Sequence, residues 1–241
     1  MKITEKIKAK QLNMLSNEPI TIAFLGDSVT QGCFECYLLN PTKVETVYDY
    51  ENSYSNKLKR MLHILYPRVQ VNVINSGISG DNATNGIKRL DRDVLSYHPD
   101  LVVVGFALND CCGGENGVER YYNAMSEIVK RIKNSGAECI VLTPNMMNTA
   151  TSCHLKDQHL ITLSKTLAGL QNGGILDKYV EKARRVAMEN EVVLCDVYAK
   201  WKNMYTAGVD TTELLANKLN HPIRELHYIP AFMLLDCILN N

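Results

Sequence analysis

Ile20-Thr21-Ile22-Ala23-Phe24-Leu25-Gly26-Asp27-Ser28-Val29-Thr30 decides the fold of this chain. A short, β-branched apolar run stops abruptly at Gly-Asp-Ser. That pattern predicts a buried strand followed by a tight turn that lifts a serine hydroxyl above the sheet edge. Four further apolar runs fit strands buried on both faces, over residues 69–74, 101–104, 138–142 and 192–195. Between them lie segments with helical spacing, over residues 51–65, 83–97, 117–135 and 176–190, and residues 222–239 close the chain as a last helix. Alternating strands and helices joined by right-handed crossovers give a parallel sheet covered on both faces. The expected architecture is α/β: a doubly wound, three-layer α/β/α sandwich around a flavodoxin-like sheet of about five strands. Two stretches, 33–49 and 144–174, read as inserts or loops. The second, with Met146, Met147 and His154, is expected to wall a pocket.

Bulk composition narrows the function classes. At 241 residues the chain is most simply one domain over 1–241. Lys+Arg and Asp+Glu both number 26, so no net positive charge attracts a phosphate backbone. A nucleic-acid partner is therefore not expected. No run approaches the ~18–20 apolar residues of a membrane span. The polar start, Met1 to Lys10, lacks the apolar segment of a signal peptide, so a cytoplasmic location is expected. The eight cysteines then read as free thiols rather than a disulfide framework. Cys33-x-x-Cys36 and Cys111-Cys112 offer a weaker alternative, a zinc or redox site. Adjacent cysteines are an unusual zinc pair, so no metal and no cofactor are expected.

In a doubly wound sheet, ligands bind beyond the carboxyl ends of the strands. Small, amide-rich residues fall at those ends: Gly26-Asp27-Ser28, Asn75-Ser76-Gly77-Ile78-Ser79-Gly80, and Phe106-Ala107-Leu108-Asn109-Asp110. Asn220-His221-Pro222 precedes the last helix. Acyl transfer from an ester needs a nucleophile, a base and donors for the oxyanion. Ser28 is the nucleophile candidate, and its N–H, near a helix start, is one oxyanion donor. Gly77 offers a second N–H, because a residue without Cβ admits close approach. The Asn109 side-chain amide is a third. Each such donor contributes about 2.7–4 kcal/mol, not additively. Among six histidines only His221 has the local context of a base. His63 reads as structural or partly buried, His98 as a loop residue, His154 and His159 as variable-loop residues, and His227 as part of the last helix. Asp27 and Asp110 read as turn acceptors rather than catalytic carboxylates.

These blocks resemble those of the SGNH/GDSL hydrolases over roughly residues 20–235. Gly26-Asp27-Ser28-Val29 resembles the Gly-Asp-Ser-Leu block, and Asn75-x-Gly77-x-x-Gly80 the glycine block. Residues 106–110 resemble the Gly-x-Asn-Asp block, with Ala107 where glycine is usual. The resemblance implies an SGNH hydrolase fold and a metal-independent esterase or lipase-like activity. In it Ser28 and His221 are catalytic, and Ser28, Gly77 and Asn109 form the oxyanion hole.

One departure bears on mechanism. The family places an aspartate three residues before the histidine, and this chain has Lys218, which cannot accept a proton from the imidazole. The enzyme is then a dyad, or another acceptor substitutes: a backbone carbonyl, the Asn217 or Asn220 side-chain oxygen, or Asp210. The expected substrate is a small-molecule ester, first an acetyl group on a carbohydrate. Lysophospholipase or thioesterase action on longer chains, and a weakened carbohydrate-binding member motivated by Lys218, are the alternatives. A homo-oligomer is left open.

Overall fold

The computed structural model describes residues 1–40 and 43–240; Pro41, Thr42 and Asn241 lie outside them, the first two within the stretch read as an insert. In chain order the elements are α1 (Lys2–Leu12), β1 (Ile20–Gly26), α2 (Ser28–Gln31), β2 (Cys33–Asn40), β3 (Lys43–Tyr48), α3 (Tyr54–Leu65), β4 (Val71–Gly77), α4 (Ala83–Asp93), β5 (Leu101–Gly105), α5 (Val118–Asn134), β6 (Glu138–Leu142), α6 (Gln158–Asn172), α7 (Ile175–Glu189), β7 (Val193–Cys195), α8 (Val197–Thr206) and α9 (Tyr228–Asn240). Five strands form one sheet in the order β4-β1-β5-β6-β7, with every pairing parallel. This is the expected doubly wound sandwich. Ile22, Ala23, Phe24 and Leu25 of β1 and Val102, Val103 and Val104 of β5 are fully buried, as strands covered on both faces require. Helix α3 packs with α9, while α4, α5 and α7 pack in succession.

The sequence reading differs from the structure at the element ends. Ser53 and Asn82 cap α3 and α4 through the Asn56 and Asn85 N–H groups, so α3 begins at Tyr54 rather than at 51. Helix α4 stops at Asp93, and a separate 3-10 turn follows over Leu95–Tyr97. The last helix begins at Tyr228, after a 3-10 turn over Arg224–His227, rather than at 222. Strand β4 runs through Asn75 and Ser76 to Gly77, so half of the glycine block belongs to the sheet rather than to the turn after it.

Five elements were not expected. Helix α1 buries only Ile3, Ile7 and Lys10, too narrow a stripe to read. Its start is capped from afar, by the Glu138 carboxylate accepting from Lys2 N (2.9 Å) and Ile3 N (2.7 Å). Helices α6 and α8 are capped by Asp157 and Asp196. Residues 144–174 are therefore not simply a loop, and Met146 and Met147 lie in the core rather than on a pocket wall. The stretch read as an insert holds the antiparallel pair β2–β3, which stands apart from the main sheet.

The carboxyl edge is tight at its centre. Gly26 pairs in register with Gly77 on one side and Gly105 on the other. A Cβ on Gly26 would lie 2.1 Å from Thr30 Oγ1 and 2.7 Å from the Gly105 carbonyl. Thr30 Oγ1 cannot swing away freely, because it bonds Tyr54 Oη at 2.8 Å. Gly26→Ala is therefore expected to destabilise the fold by about 1–3 kcal/mol through overpacking. Gly169→Ala, mid-helix with open space around it, should stabilise by about 1 kcal/mol. Urea unfolding midpoints measure both, and equal shifts would contradict this account of the edge.

Candidate active site

Ser28 is the first residue of α2, a single turn that starts where β1 ends. Asp27 caps it, its carboxylate accepting from Val29 N at 3.0 Å. The turn closes through Gln31 N to Asp27 O (3.0 Å) and Gly32 N to Ser28 O (3.1 Å). Gly32 holds φ +92°, a left-handed conformation that glycine adopts without a Cβ clash. With only four residues, α2 supplies individual N–H groups and no extended macrodipole.

His221 arrives from the other end of the chain. Its Nε2 lies 2.9 Å from Ser28 Oγ, and its Nδ1 lies 2.9 Å from the Phe34 main-chain carbonyl. A carbonyl only accepts, so the shared proton resides on Nδ1, and Nε2 presents its lone pair to the serine hydroxyl. The ring is buried, and burial lowers its pKa from 6.5 to about 4 against the opposing pull of Phe34. At neutral pH the imidazole is therefore an uncharged base. Its loop is tied by Asn217 Oδ1, which accepts from Leu219, Asn220 and His221 N at 3.0, 2.9 and 3.0 Å.

Of the acceptors left open by the sequence, the ring faces the backbone carbonyl. Asn220 Oδ1 accepts instead from Asn217 Nδ2 at 3.0 Å, and Asp210 Oδ1 from Thr212 N and Glu213 N at 3.0 and 3.3 Å. Lys218 turns away, its Nζ bonding Glu213 O at 2.7 Å and pairing with Glu213 Oε2 at 2.9 Å. Its φ of +57° is left-handed. Phe34, within the stretch read as an insert, was not anticipated. Nothing in residue type marks it, because any residue carries a carbonyl.

Gly77 lies beside this turn, and a Cβ there would fall 2.2 Å from Gln31 N. Its N–H donates to Asn75 Oδ1 at 3.0 Å, so an oxyanion would have to share that donor. Asn109 Nδ2 donates one hydrogen to Asp81 O at 2.8 Å, which fixes the amide and leaves its second hydrogen. Asp110 Oδ1 accepts from Ala83 N at 3.0 Å, so it joins two turns rather than orienting only its own; burial raises its pKa to about 6. Ala107 holds φ +138°, a region that favours glycine, at the position where the motif has glycine. Arg89, also missed, is buried and bonds Asp81 Oδ2 (2.7 Å), Ser76 O (2.5 Å) and Gly26 O (2.9 Å).

The model of the GDSL-like lipase/acylhydrolase family matches residues 24–228. The chain belongs to that family. It is 28% identical over 89 residues to an acetylxylan esterase of Geobacillus stearothermophilus, a match covering 37% of this chain and 39% of that protein. It is 36% identical over 72 residues to an arylesterase of Vibrio mimicus, covering 30% of this chain and 36% of that one. The matches thus span under two fifths of these curated relatives. A solved two-domain esterase active on acetylated mannans superposes with a TM-score of 0.66 at 19% identity, over 98% of this chain and 51% of that one, which is likeness of fold.

Within this member of the GDSL-like family a cavity of about 30 Å³ is lined by Val29, Leu108, Leu142, Asn145, Trp201 and Pro222; Ser28 and His221 do not line it. His63, His98, His154 and His159 are exposed, which corrects the structural reading of His63; His154 Nε2 lies 3.7 Å from Glu213 Oε2. His227 is in the 3-10 turn before α9, buried, with Nδ1 accepting from Tyr54 N at 3.1 Å. Cys33 and Cys36 lie on β2, Cys111 is buried and Cys112 exposed. Among the described residues no group of three or more His, Cys, Asp or Glu side chains could hold a metal ion.

Two outcomes follow from this geometry. An NMR titration of the His221 ring should give a midpoint of about 4, below the ordinary 6.5. The unfolded chain then binds this proton first as pH falls. The stability tied to the neutral ring is therefore complete above 6.5 and is lost as pH falls from 6.5 through about 4. A midpoint near 6.5 would mean that the ring is hydrated. Lys218→Asn, which tolerates the left-handed backbone, should leave turnover of an ester within about threefold, whereas a loss near 10³–10⁴-fold, the scale of removing a triad member, would place the lysine in the machinery.

Proposed function

We propose that this chain is a serine esterase that removes small acyl groups, acetyl first among them, from acylated carbohydrates. The contact of Ser28 Oγ with an Nε2 whose Nδ1 is held by Phe34 carries the reading. His221 takes the Ser28 proton as Oγ attacks the ester carbonyl, and returns it to the departing alkoxide. Water, activated by the same nitrogen, then releases the acid from the acyl-Ser28 intermediate. The developing oxyanion draws on the N–H groups of Ser28 and Gly77 and on the second Asn109 Nδ2 hydrogen; losing one such donor costs about 10²–10³ in turnover.

The Phe34 carbonyl sets the tautomer and direction of the imidazole, as a carboxylate would, but brings no charge to offset the imidazolium. Losing the correct tautomer costs about 10⁴ in rate in a serine triad. Here that part is retained, and only the charge term is missing. The names of the relatives support the acetylated-carbohydrate reading.

The test is hydrolysis of p-nitrophenyl acetate, butyrate and octanoate by wild type and Ser28→Ala, with fluorophosphonate labelling. Acetate should be turned over more than about tenfold faster than octanoate. Tenfold is about 1.4 kcal/mol of transition-state free energy, within the roughly 1–3 kcal/mol that forcing extra methylenes into a packed site costs. Ser28→Ala should lose about 10³-fold or more. The acid limb of kcat/KM should fall near pH 4, where the buried His221 gains its proton. An inert wild type whose Ser28 is not labelled would replace this reading with that of a binding protein.

A further inference from the structure

A carbonyl acceptor directs the His221 ring only as well as its own position is fixed. Phe34 is the second residue of β2, on an arm that, among the described residues, pairs with no strand of the main sheet. Arg224, three residues after His221 on the same loop, reaches across to that arm. Its Nη1 and Nη2 donate to Glu35 Oε1 and Oε2 at 2.6 and 3.1 Å, its Nε donates to Asp49 Oδ2 at 2.8 Å, and its guanidinium sits 4.3 Å from the Phe34 ring centroid. Glu35 and Asp49 flank the arm at its start and just past its end. The paired bonds to Glu35 use the fork geometry that only arginine offers, so lysine is no equivalent here. On the other side, Thr46 Oγ1 donates to Glu35 O at 3.0 Å. The residue bearing the carbonyl is thus gripped by its own ring and by its neighbour's carboxylate.

We propose that Arg224 is a positioning residue for the His221 base: it locks the β2–β3 arm to the catalytic loop and so holds the Phe34 carbonyl in line with Nδ1–H. This rests on the esterase reading for its kinetic consequence and on geometry alone for its structural one. Hydrogen bonds from Arg224 hold the Glu35 carboxyl below the usual carboxylate range, so the clamp is ionised at neutral pH. Releasing it leaves the serine and the oxyanion donors in place and frees the ring to rotate or change tautomer. Misplacements near 1 Å cost about 10²-fold.

The experiment compares wild type, Arg224→Met and Glu35→Gln by steady-state kinetics on p-nitrophenyl acetate and by ¹⁵N NMR of the histidine rings. Arg224→Met should lower kcat by about 10–100-fold with KM within about twofold, because the change falls on the base and not on substrate binding. Guanidinium chloride at low millimolar concentration should restore part of that loss. The ¹⁵N pattern of His221 should pass from a single Nδ1–H tautomer in wild type to a mixture in the variant. Glu35→Gln, which keeps the cation and one acceptor, should show the same changes at smaller size, and it carries the test if Arg224→Met does not fold. An unchanged His221 tautomer in folded variants overturns the proposal, as does a rise in KM with kcat preserved. The NMR readout needs no turnover. An inert wild type with an intact Nδ1–H tautomer that is lost in the variants would refute the esterase reading while supporting the clamp.

Discussion

The Ser28–His221 hydrogen bond joins residues 193 positions apart, and the rest of the molecule can be understood as what makes that contact possible. Ser28 is fixed because β1 occupies an interior position of a parallel sheet and ends where the chain must turn. His221 can reach it because α9 packs beside α3 and delivers the preceding loop to the same edge. Neither residue is placed by local structure alone, so the site exists only when the whole sheet order is formed. Closing so long a loop costs entropy, and burial of the β1 and β5 side chains offsets it.

Charge explains why this contact works without a carboxylate. A buried aspartate beside His221 would have to be desolvated along with the ring, and burial of an unpaired charge is expensive. A main-chain carbonyl avoids that cost and still settles which nitrogen carries the proton. The consequence is a base that stays neutral far below the ordinary histidine range and forms its imidazolium reluctantly. Lys218, at the place of the missing acid, is neutralised by Glu213 and adds no positive charge against the ring. The arrangement favours a base that is available over a wide pH range at the expense of imidazolium stabilisation.

The sheet was legible because buried parallel strands leave continuous β-branched runs, and the residues at 20–25, 101–104 and 138–142 are of that kind. Ser28 and His221 were legible through short motifs at strand ends. What escaped shares one property: its signal is tertiary. Helix α1 is capped by Glu138, far along the chain, and its polar surface hides the stripe formed by Ile3 and Ile7. Phe34 acts through a carbonyl that every residue possesses. Arg89 reads as an ordinary helical charge until the ends of β1 and β4 are brought around it. The caps Asp157 and Asp196 were visible, by contrast, and α6 and α8 could have been placed from them.

Arg89 shows what the carboxyl edge of a parallel sheet demands. Strands end there in carbonyl oxygens, and acceptors are the wrong groups to meet a developing oxyanion. The guanidinium of Arg89 takes up the Gly26 and Ser76 carbonyls, and Asp81 balances its charge. The Gly26 carbonyl also accepts from Ile78 N at 3.1 Å. With those acceptors satisfied from below, the N–H groups of the neighbouring turns are the polar groups left to face a substrate. A buried charge is thereby retained where replacing it with an apolar side chain would take the Arg89 donors from the Ser76 and Gly26 carbonyls and leave Gly26 O with Ile78 N. The same logic assigns the glycines their places: backbone that must approach this closely to satisfy its own acceptors leaves no room for a Cβ at Gly26 or Gly77.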